Sequence, residues 1–273
     1  MDDKIFNIIL EKIARENDYE LTRVIDGVYE LKKGSKKLYI RGKKFGLNSA
    51  LSSSFAKNKA QTFEILRRNN IKAVPHYELY QPARYAIFGD QEKRNKERIK
   101  SIIEKDGLPL VLKPAEGERT RGVKLCNSKA KINRFSRELF STEKEVVLSP
   151  FRKIEHEYRT VFLNGKIELI YEKTKVDDRV KHGKFVFGVG AEVLSPENKK
   201  YKKLAALAKK SAKTLGLTFA SVDIIETEKE GLEVLEINSM VCLKNFGNTS
   251  KEYFEIVEKI YKKAFKKAFS KKA

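Results

Sequence analysis

One stretch near the C-terminus, residues 220–238, constrains the fold of this chain more than any other. Two apolar runs rich in β-branched residues, 220–226 and 232–238, flank the polar tract 227–231. Short apolar runs on either side of such a tract are typical of a β-hairpin with a loop of about four or five residues. The sequence therefore predicts two antiparallel strands here.

The expected register places acidic residues opposite each other in this hairpin. A loop of residues 228–231 gives three cross-strand pairs, which are Thr227 with Leu232, Ile225 with Val234, and Asp223 with Glu236. Asn238 then lies on the same face as Glu236. Opposed carboxylates repel unless a cation lies between them, and two carboxylates with an amide oxygen suit Mg²⁺. Either Asp223, Glu236 and Asn238 form a metal site, or the acids of an edge hairpin face water.

The charge of the chain is unusual. Its 273 residues contain 58 Lys and Arg against 37 Asp and Glu, which gives a formal net charge of +21. Such a potential attracts nucleic acid, acidic peptides or anionic surfaces, although a lysine-rich composition on solvated faces is the simpler account. The aromatic clusters on strands that single-strand binders use for stacking are missing from the pattern. Charge alone does not assign a function.

Length and cysteine usage indicate a soluble cytoplasmic protein of two or three subdomains. No apolar run approaches the ~20 residues of a membrane span, and residues 1–6 do not resemble the start of a signal peptide. Cys126 and Cys242 lie far apart without metal-ligand spacing. We expect both to be thiols in a reducing compartment.

Hydrophobic periodicity predicts the other elements. The first 47 residues contain a helix that ends near Asn17 and a set of short strands, expected at residues 21–25, 28–31 and 38–41. Further helices are expected at residues 55–68, 91–105, 128–140, 196–215 and 253–269. Further strands are expected at residues 85–88, 110–112, 123–125 and 145–148, and a loop at 239–248.

A second informative stretch spans residues 108–125. The buried strand there places Lys113 at its end, before a flexible loop that contains Gly117 and Gly122. A lysine at a strand end can bind phosphate oxygens together with the backbone N–H groups of such a loop. The Gly-Lys-Ser/Thr ending of the strand-to-helix phosphate loop is absent. The stretch by itself does not establish a nucleotide site.

A second hairpin is predicted at residues 157–173, turning at Asn164-Gly165. Alternation places Glu157 and Arg159 on one face of its first strand, and Lys173 lies near the end of its second. The following segment, 174–191, is charged and then glycine-rich. It is either a mobile substrate loop or an ordinary exposed loop.

In this order, the motifs resemble the ATP-grasp superfamily, and within it carboxylate–amine ligases such as cyanophycin synthetase, glutathione synthetase and the ribosomal-protein glutamate ligases. The resemblance covers roughly residues 48–265. It implies an α+β fold in which two α+β subdomains clasp ATP, preceded by a short helix-plus-strands appendage. The implied boundaries are 1–47 for the appendage, 48–148 for the subdomain with the phosphate-covering hairpin, and 149–273 for the subdomain with the metal-binding hairpin.

The resemblance also implies roles for individual residues. The implied ATP-binding residues are Lys59, Lys113, Glu116, Gly117, Gly122, Ser149, Phe151 and Glu157. The implied catalytic residues are Arg159 and Lys173, and the implied metal ligands are Asp223, Glu236 and Asn238. This sequence departs from the family pattern at Thr120, at Ser149-Pro150 and directly after Asn238, where the family contacts its acceptor.

The function implied is ADP-forming ligation of a carboxylate to an amine through an acyl phosphate, with ATP and Mg²⁺, or Mn²⁺ in its place, as cofactors. The charge of +21 favours an acidic amino acid or peptide as substrate. We expect neither a membrane nor nucleic acid as partner, and a homo-oligomer is left open. The alternatives are a basic polyanion-binding protein and an ATP-binding module without ligase chemistry.

Overall fold

The computed structural model of the protein describes residues 4–117, 121–174 and 190–271. Its helices are α1 (Lys4–Glu16), α2 (Ala50–Lys57), α3 (Lys59–Arg68), α4 (Gln91–Asp106), α5 (Lys129–Phe140), α6 (Tyr201–Thr214), α7 (Lys244–Gly247) and α8 (Lys251–Lys271). Its strands are β1 (Glu20–Ile25), β2 (Val28–Lys33), β3 (Lys36–Arg41), β4 (Tyr77–Tyr80), β5 (Leu110–Pro114), β6 (Lys124–Cys126), β7 (Glu145–Pro150), β8 (His156–Leu163), β9 (Lys166–Thr174), β10 (Gly190–Val193), β11 (Phe219–Thr227) and β12 (Gly231–Asn238). Among these described strands, every pair is antiparallel, and the strands form three sheets.

The first sheet lies in the N-terminal region and has the order β1-β2-β3. Alternation along β2 and β3 turns Leu31 and Ile40 inward, where both are buried. They share an apolar core with α1, α8 and one end of the five-stranded sheet. In this core Phe6 packs edge-on against Phe45 and Tyr261. The helix and three strands predicted for this region are therefore present.

The four-stranded sheet has the order β4-β7-β5-β6. Helices α4 and α5 cover one of its faces and bury Ile99 and Ile132 against Leu110. Both helices begin at a capping side chain of a type that favours helix starts. Ser128 accepts a hydrogen bond from the N–H of Lys131 at 3.3 Å, and Asp90 caps α4 in the same way. The opposite face of the sheet carries Lys113.

The five-stranded sheet has the order β10-β9-β8-β11-β12. Helix α6 packs on one face, where Leu204 and Ala208 meet Phe162 and Ile224. The core of the N-terminal region covers one end of the other face. The remaining end of that face carries charged side chains, and these form the candidate site.

Two sets of contacts join the larger sheets. The N–H of Val74 donates to the carbonyl of Val234 at 2.9 Å, and the N–H of Val234 donates to that of Lys72 at 3.0 Å. The segment before β4 thus runs beside β12. The side chain of Asn58 donates to the Glu145 carboxylate at 3.1 Å, which fixes the start of α3 against β7.

The side chain of Asn48 ties the N-terminal region to the five-stranded sheet. Its oxygen accepts from the N–H groups of Thr218 and Phe219 at 2.8 and 2.9 Å. Its amide nitrogen donates to the carbonyls of Phe219 and Ser239 at 2.7 and 3.0 Å. One side chain therefore holds both the start of β11 and the residue that follows β12.

The hairpin of β11 and β12 has the predicted Asp223–Glu236 pair but different neighbours. The observed pairs include Asp223 with Glu236, Ile224 with Val234, Ile225 with Glu233 and Thr227 with Gly231. The predicted pairs of Thr227 with Leu232 and of Ile225 with Val234 are therefore wrong. The register shifts between Asp223 and Ile224, because Leu235 is an extra residue in β12, which is a β-bulge. The bulge compensates for a loop that is one residue shorter than expected.

The hairpin of β8 and β9 turns where the sequence predicts. Leu163 is paired with Lys166, so Asn164 and Gly165 form a two-residue turn. Their φ angles are +46° and +87°, a conformation that asparagine and glycine adopt most readily. The polar segment that follows β9, the predicted loop 174–191, lies largely outside the described residues.

Four other predictions are wrong in part. The helix expected at 55–68 is broken at Asn58, whose side chain accepts from the N–H groups of Ala60 and Gln61 and so begins a new helix. Residues 86–88 form a 3₁₀ turn rather than a strand. Helix α6 begins at Tyr201 and not at residue 196, and the expected loop 239–248 contains α7. Among the described residues, no helix has the length and apolar character needed to cross a membrane.

Candidate active site

Charged side chains from four neighbouring strands meet on the open end of the five-stranded sheet. Arg159 of β8 is paired with Asp223 of β11, which in turn is paired with Glu236 of β12. Paired residues of antiparallel strands point to the same side. Glu157 precedes Arg159 by two residues. Lys173 of β9 donates a hydrogen bond to the Glu157 carboxylate. We call this group, Glu157, Arg159, Lys173, Asp223 and Glu236, the charged face.

Asp223 is the most buried member of the charged face, with 2% of its surface exposed. Arg159 donates to both of its oxygens, from Nε at 2.7 Å and from the terminal nitrogen at 2.6 Å. The ammonium group of Lys173 lies 3.4 Å from the same carboxylate. Burial opposes ionisation, but the charges of Arg159 and Lys173 outweigh it and hold the pKa of Asp223 well below its usual range.

Two ion pairs offset most of the charge of the charged face. Burial of the Arg159 guanidinium disfavours its charge, yet Asp223 raises the pKa of Arg159 above its usual value. Glu157 and Lys173 form a close ion pair, and burial raises the pKa of Glu157. Arg159 and Lys173 therefore offset the charges of Asp223 and Glu157 in a site that is largely shielded from water, and Glu236 is a third carboxylate beside these pairs.

Glu236 and Asn238 complete the set that the sequence predicts as metal ligands. The Asn238 amide nitrogen donates to Glu236 at 3.2 Å, so the amide oxygen is turned away from that contact. Both residues are half-buried, and Asn238 is paired with Ser221, on the same side as Asp223. These oxygens fit a hard divalent cation, although Asp223 is already paired with Arg159.

Two lysines approach the charged face from outside the five-stranded sheet. Lys59, at the start of α3, donates from its ammonium group to the carbonyl of Gly117 at 3.0 Å. Lys113, at the end of β5, is half-buried. Burial and the charge of Lys59 lower the pKa of Lys113 to about 8, while the charge of Glu236 acts in the opposite direction. The charges of Lys59 and Glu236 both act on Lys113, which indicates that this lysine lies near the charged face.

The predicted phosphate loop is described on both sides of residues 118–120. Glu116 forms an exposed ion pair with Lys57. Gly122 has a φ of +75°, and a Cβ atom there would lie 3.0 Å from Pro114 Cδ and 3.1 Å from Leu139 Cδ2. Only glycine fits this position without strain. Thr120, the departure from the family pattern in this loop, lies outside the described residues.

Ser149 and Phe151 lie where the chain leaves the four-stranded sheet. The Ser149 hydroxyl is buried and donates to the carbonyl of Pro75 at 2.8 Å, so its side chain is engaged within the fold. Phe151 is 36% exposed, and its N–H donates to the carbonyl of Pro109 at 3.2 Å. Of these two residues, the exposed ring is the one that a ligand could contact.

Sequence reasoning missed two features next to the site. Arg152 donates to both oxygens of buried Glu233, at 2.7 and 3.2 Å. Glu233 lies on the side of the charged face only because of the bulge at Leu235, which no pattern in the sequence indicates. His76 is buried, close enough to Lys113 and Lys59 for the charges of both lysines to act on it.

Comparison with known proteins identifies the family. The model of the D-ala D-ala ligase C-terminus family matches residues 79–253. The chain belongs to this family. The D-alanine–D-alanine ligase of Clostridium beijerinckii is 27% identical to this chain over 193 residues, which cover 70% of this chain and 60% of that protein. A probable alpha-L-glutamate ligase of Desulfotalea psychrophila is 30% identical over 136 residues, 49% of this chain and 28% of that protein. The chain thus spans less than two thirds of either relative.

Solved structures share the fold of this family member. The D-alanine–D-alanine ligase of Bacillus anthracis, complexed with ATP, aligns with a TM-score of 0.57 at 19% identity, over 81% of this chain and 69% of that one. The ATP-grasp ligase PsnB, complexed with a minimal precursor, aligns with a TM-score of 0.52 at 14% identity, over 77% of this chain and 63% of that one. The ATP-grasp fold predicted from the sequence is confirmed.

Proposed function

We propose that this protein is an ATP-dependent carboxylate–amine ligase that forms an amide or peptide bond through an acyl phosphate. One observation carries the proposal: Lys59 of α3 and Glu236 of β12 line the same cavity, and the charge of Glu236 also acts on Lys113 of β5. A cation suited to phosphate thus faces an acid-and-amide group suited to a metal ion. The relatives described above are ligases by name, which supports the same class of reaction.

Asp223, Glu236 and Asn238 are the residues that would hold Mg²⁺, or Mn²⁺ in its place. Within the described ranges no three His, Cys, Asp or Glu side chains are grouped to hold a metal, so the Asn238 amide oxygen is needed as the third ligand. Carboxylate and amide oxygens are suitable ligands for such an ion. When bound, the ion would offset the negative charge of the ATP phosphates.

The proposed reaction has two steps. A carboxylate oxygen of the first substrate attacks the γ-phosphorus of ATP, the bond to the bridging oxygen breaks, and ADP leaves. The amine of the second substrate then attacks the acyl carbon, loses a proton and expels phosphate, which leaves an amide. Lys59 and Lys113 would bind the ATP phosphates, and Arg159 would stabilise the transferring phosphoryl group or the oxyanion.

The other predicted residues take supporting roles in this proposal. Glu116, Gly117 and Gly122 belong to the loop that would cover the phosphates and exclude water from the acyl phosphate. Phe151 and the backbone of Ser149 would border the adenine, and Glu157 would bind the ribose once its pairing with Lys173 is exchanged. We further propose that residues 1–47, 48–148 and 149–273 are the three structural units.

The substrate class proposed is an acidic amino acid or an acidic peptide. The support is the net charge of +21, which attracts anions over distances of about 10 Å at moderate salt. We expect the KM for the acidic substrate to rise with salt, while the KM for a neutral one stays nearly constant. A salt-independent KM for the acidic substrate would remove this part of the proposal.

A second candidate function is an ATP-binding module without ligase chemistry. One observation favours it: both oxygens of Asp223 already accept hydrogen bonds from Arg159. If that pair persisted in the presence of Mg-ATP, a predicted metal ligand would remain engaged and Arg159 could not reach the reacting groups.

The deciding experiment is ADP release from Mg-ATP with pooled amino acids and acidic peptides, followed by mass spectrometry of the products. For a ligase, release requires both a carboxylate and an amine, and a condensation product with the mass of both substrates less one water is formed. The control is Glu236→Gln, which we expect to lower the rate by about 10²-fold or more. ATP binding without ADP release in any pool would favour the second candidate.

A further inference from the structure

His76 occupies a fixed position between the two larger sheets. It follows Val74, which is hydrogen-bonded to β12, and Pro75, whose carbonyl accepts from Ser149 of β7. The ring is 4% exposed. It lines a cavity of about 10 Å³ together with Lys59, Thr62 and residues 234–237, which include Glu236. The imidazole is therefore held beside the predicted phosphate and metal sites.

The hydrogen bond at Nδ1 of His76 defines its tautomer. Its Nδ1 atom lies 2.8 Å from the carbonyl oxygen of Val74, which can only accept, so Nδ1 carries the hydrogen. Burial, followed by the charges of Lys113 and Lys59, lowers the pKa of His76 well below its usual value. The ring is thus neutral at physiological pH, and Nε2 offers a lone pair.

Nε2 is a buried acceptor with no hydrogen-bond partner among the described residues. An unsatisfied buried acceptor costs about 1–3 kcal/mol, so such an atom in a native site needs an explanation. The adjoining cavity is at the lower limit for one water molecule, which needs about 10–15 Å³. A donor from the protein is therefore the more favourable partner.

Lys113 is the donor that the surroundings offer. The ammonium group of Lys59 already donates to Gly117. That of Lys113 has no hydrogen bond or ion pair within the part of the chain that the structure describes, and its charge acts on His76 more strongly than that of Lys59. An ammonium group has three hydrogens, so Lys113 can donate to His76 and to a phosphate at the same time.

We propose that His76 is a positioning residue, whose Nε2 atom accepts a hydrogen bond from Lys113 when nucleotide phosphates occupy the cleft and thereby fixes the direction of the lysine. The inference rests on the proposed function, because it requires phosphates between the two lysines. Without them the like charges of Lys59 and Lys113 oppose a close approach of the two ammonium groups. With them the repulsion is offset, and the Nε2 lone pair selects one orientation.

The first test measures the affinity for a non-hydrolysable ATP analogue with Mg²⁺ by calorimetry. We expect His76→Leu to weaken binding about five- to tenfold, and His76→Gln, whose amide oxygen can accept near the position of Nε2, to stay within about twofold of wild type. In a Lys113→Met background, His76→Leu should have no further effect. The control is His156→Leu, because His156 is half-exposed and lies on the opposite side of the sheet. This variant should bind the analogue with the affinity of wild type.

The second test follows the ¹⁵N signals of the histidine side chains by NMR. The sequence contains three histidines, and His76→Gln identifies the signal of His76 even if His76→Leu does not fold. We expect its Nε2 signal to move on addition of the analogue in wild type and to stay in place in Lys113→Met. A signal that does not move, or that moves equally in both proteins, would overturn the inference.

The outcomes separate this inference from the proposed function. If the wild type fails to bind the analogue, the proposed function and the role of His76 both fail. If it binds but His76→Leu binds equally well, or His76→Leu loses the same affinity in the Lys113→Met background, only the role of His76 fails.

Discussion

The two sides of strand β8 carry clusters of similar composition that differ in their surroundings. One is the charged face. The other, which we call the outer cluster, consists of His156, Tyr158, Glu172, Lys200 and Glu226. In it Tyr158 donates to Glu226 at 3.0 Å and Lys200 lies 2.6 Å from the same carboxylate.

Burial and the facing groups separate the two clusters. The side chains of Glu226 and Lys200 are 25% and 41% exposed, whereas that of Asp223 is 2% exposed. The outer cluster borders the start of α6, and the charged face looks across the cleft to Lys113. Composition and alternation alone therefore do not identify a functional site. A functional site is indicated by a buried set of charged side chains that faces charged side chains of another element.

The largest expected difference is in stability. Asp223→Asn leaves Arg159 and Lys173 with buried positive charge, and we expect it to lower the free energy of unfolding by about 3–5 kcal/mol. Glu226→Gln on the outer cluster should cost about 1 kcal/mol or less, because its partner is partly solvated. Urea unfolding of both variants measures the difference. Equal losses would show that the two clusters are energetically equivalent.

The acid dependence of the same pair sharpens the comparison. The folded-state pKa of Asp223 is lowered, so its contribution to stability is complete above its unfolded pKa of about 3.9 and is lost as the pH falls through the lower folded value. The stability gap between wild type and Asp223→Asn should therefore be constant near neutral pH and narrow below about pH 4. Unfolding curves at several pH values test this, and a gap that widens on acidification would contradict it.

Activity should respond on one side of the strand only. Arg159→Lys keeps the charge but loses the two-pronged contact with Asp223, and we expect kcat of the proposed ligase to fall about 10²-fold. Tyr158→Phe, the adjacent residue, removes a hydroxyl that contacts the outer cluster and should leave kcat within about twofold. Steady-state kinetics on the substrates found by the product screen decides. A large loss in Tyr158→Phe would assign the outer cluster to the reaction.

The smallest effect is expected at the edge of the outer cluster. His156 lies 2.6 Å from Glu172, with side chains that are 41% and 27% exposed. An exposed pair of this kind contributes little, so His156→Gln should change the free energy of unfolding by about 0.5 kcal/mol or less. Thermal unfolding in low and high salt measures it. A loss comparable to that of Asp223→Asn would break the contrast between the two sides.

Part of this arrangement follows from sequence patterns. Alternation along β8 places Glu157 and Arg159 on one side. The Asn164-Gly165 turn fixes where β8 ends, since only a few residues can adopt its backbone angles. Pairing of Asp223 with Glu236 also follows from alternation, and the ordered motifs predict the fold.

Other features depend on contacts between distant segments. The break at Asn58 and the late start of α6 depend on local side-chain hydrogen bonds that compete with helix continuation, as at Asn198, which accepts from the N–H of Lys200. The pairing of Arg152 with Glu233 joins residues 81 positions apart. The orphaned acceptor on His76 arises from packing between the sheets. Residue patterns contain no information on which distant group will fill such a space.

The bulge at Leu235 changes which spacings a strand can present. A regular strand shows every second residue to one side, so acids three positions apart would point in opposite directions. The extra residue moves the strand by one step, and Glu233 and Glu236 both look toward the cleft. Removal of Leu235 would restore regular alternation and turn one of these acids to the side of α6, away from the charged face. The site is therefore more sensitive to a one-residue deletion in β12 than to a length change in the loop before it.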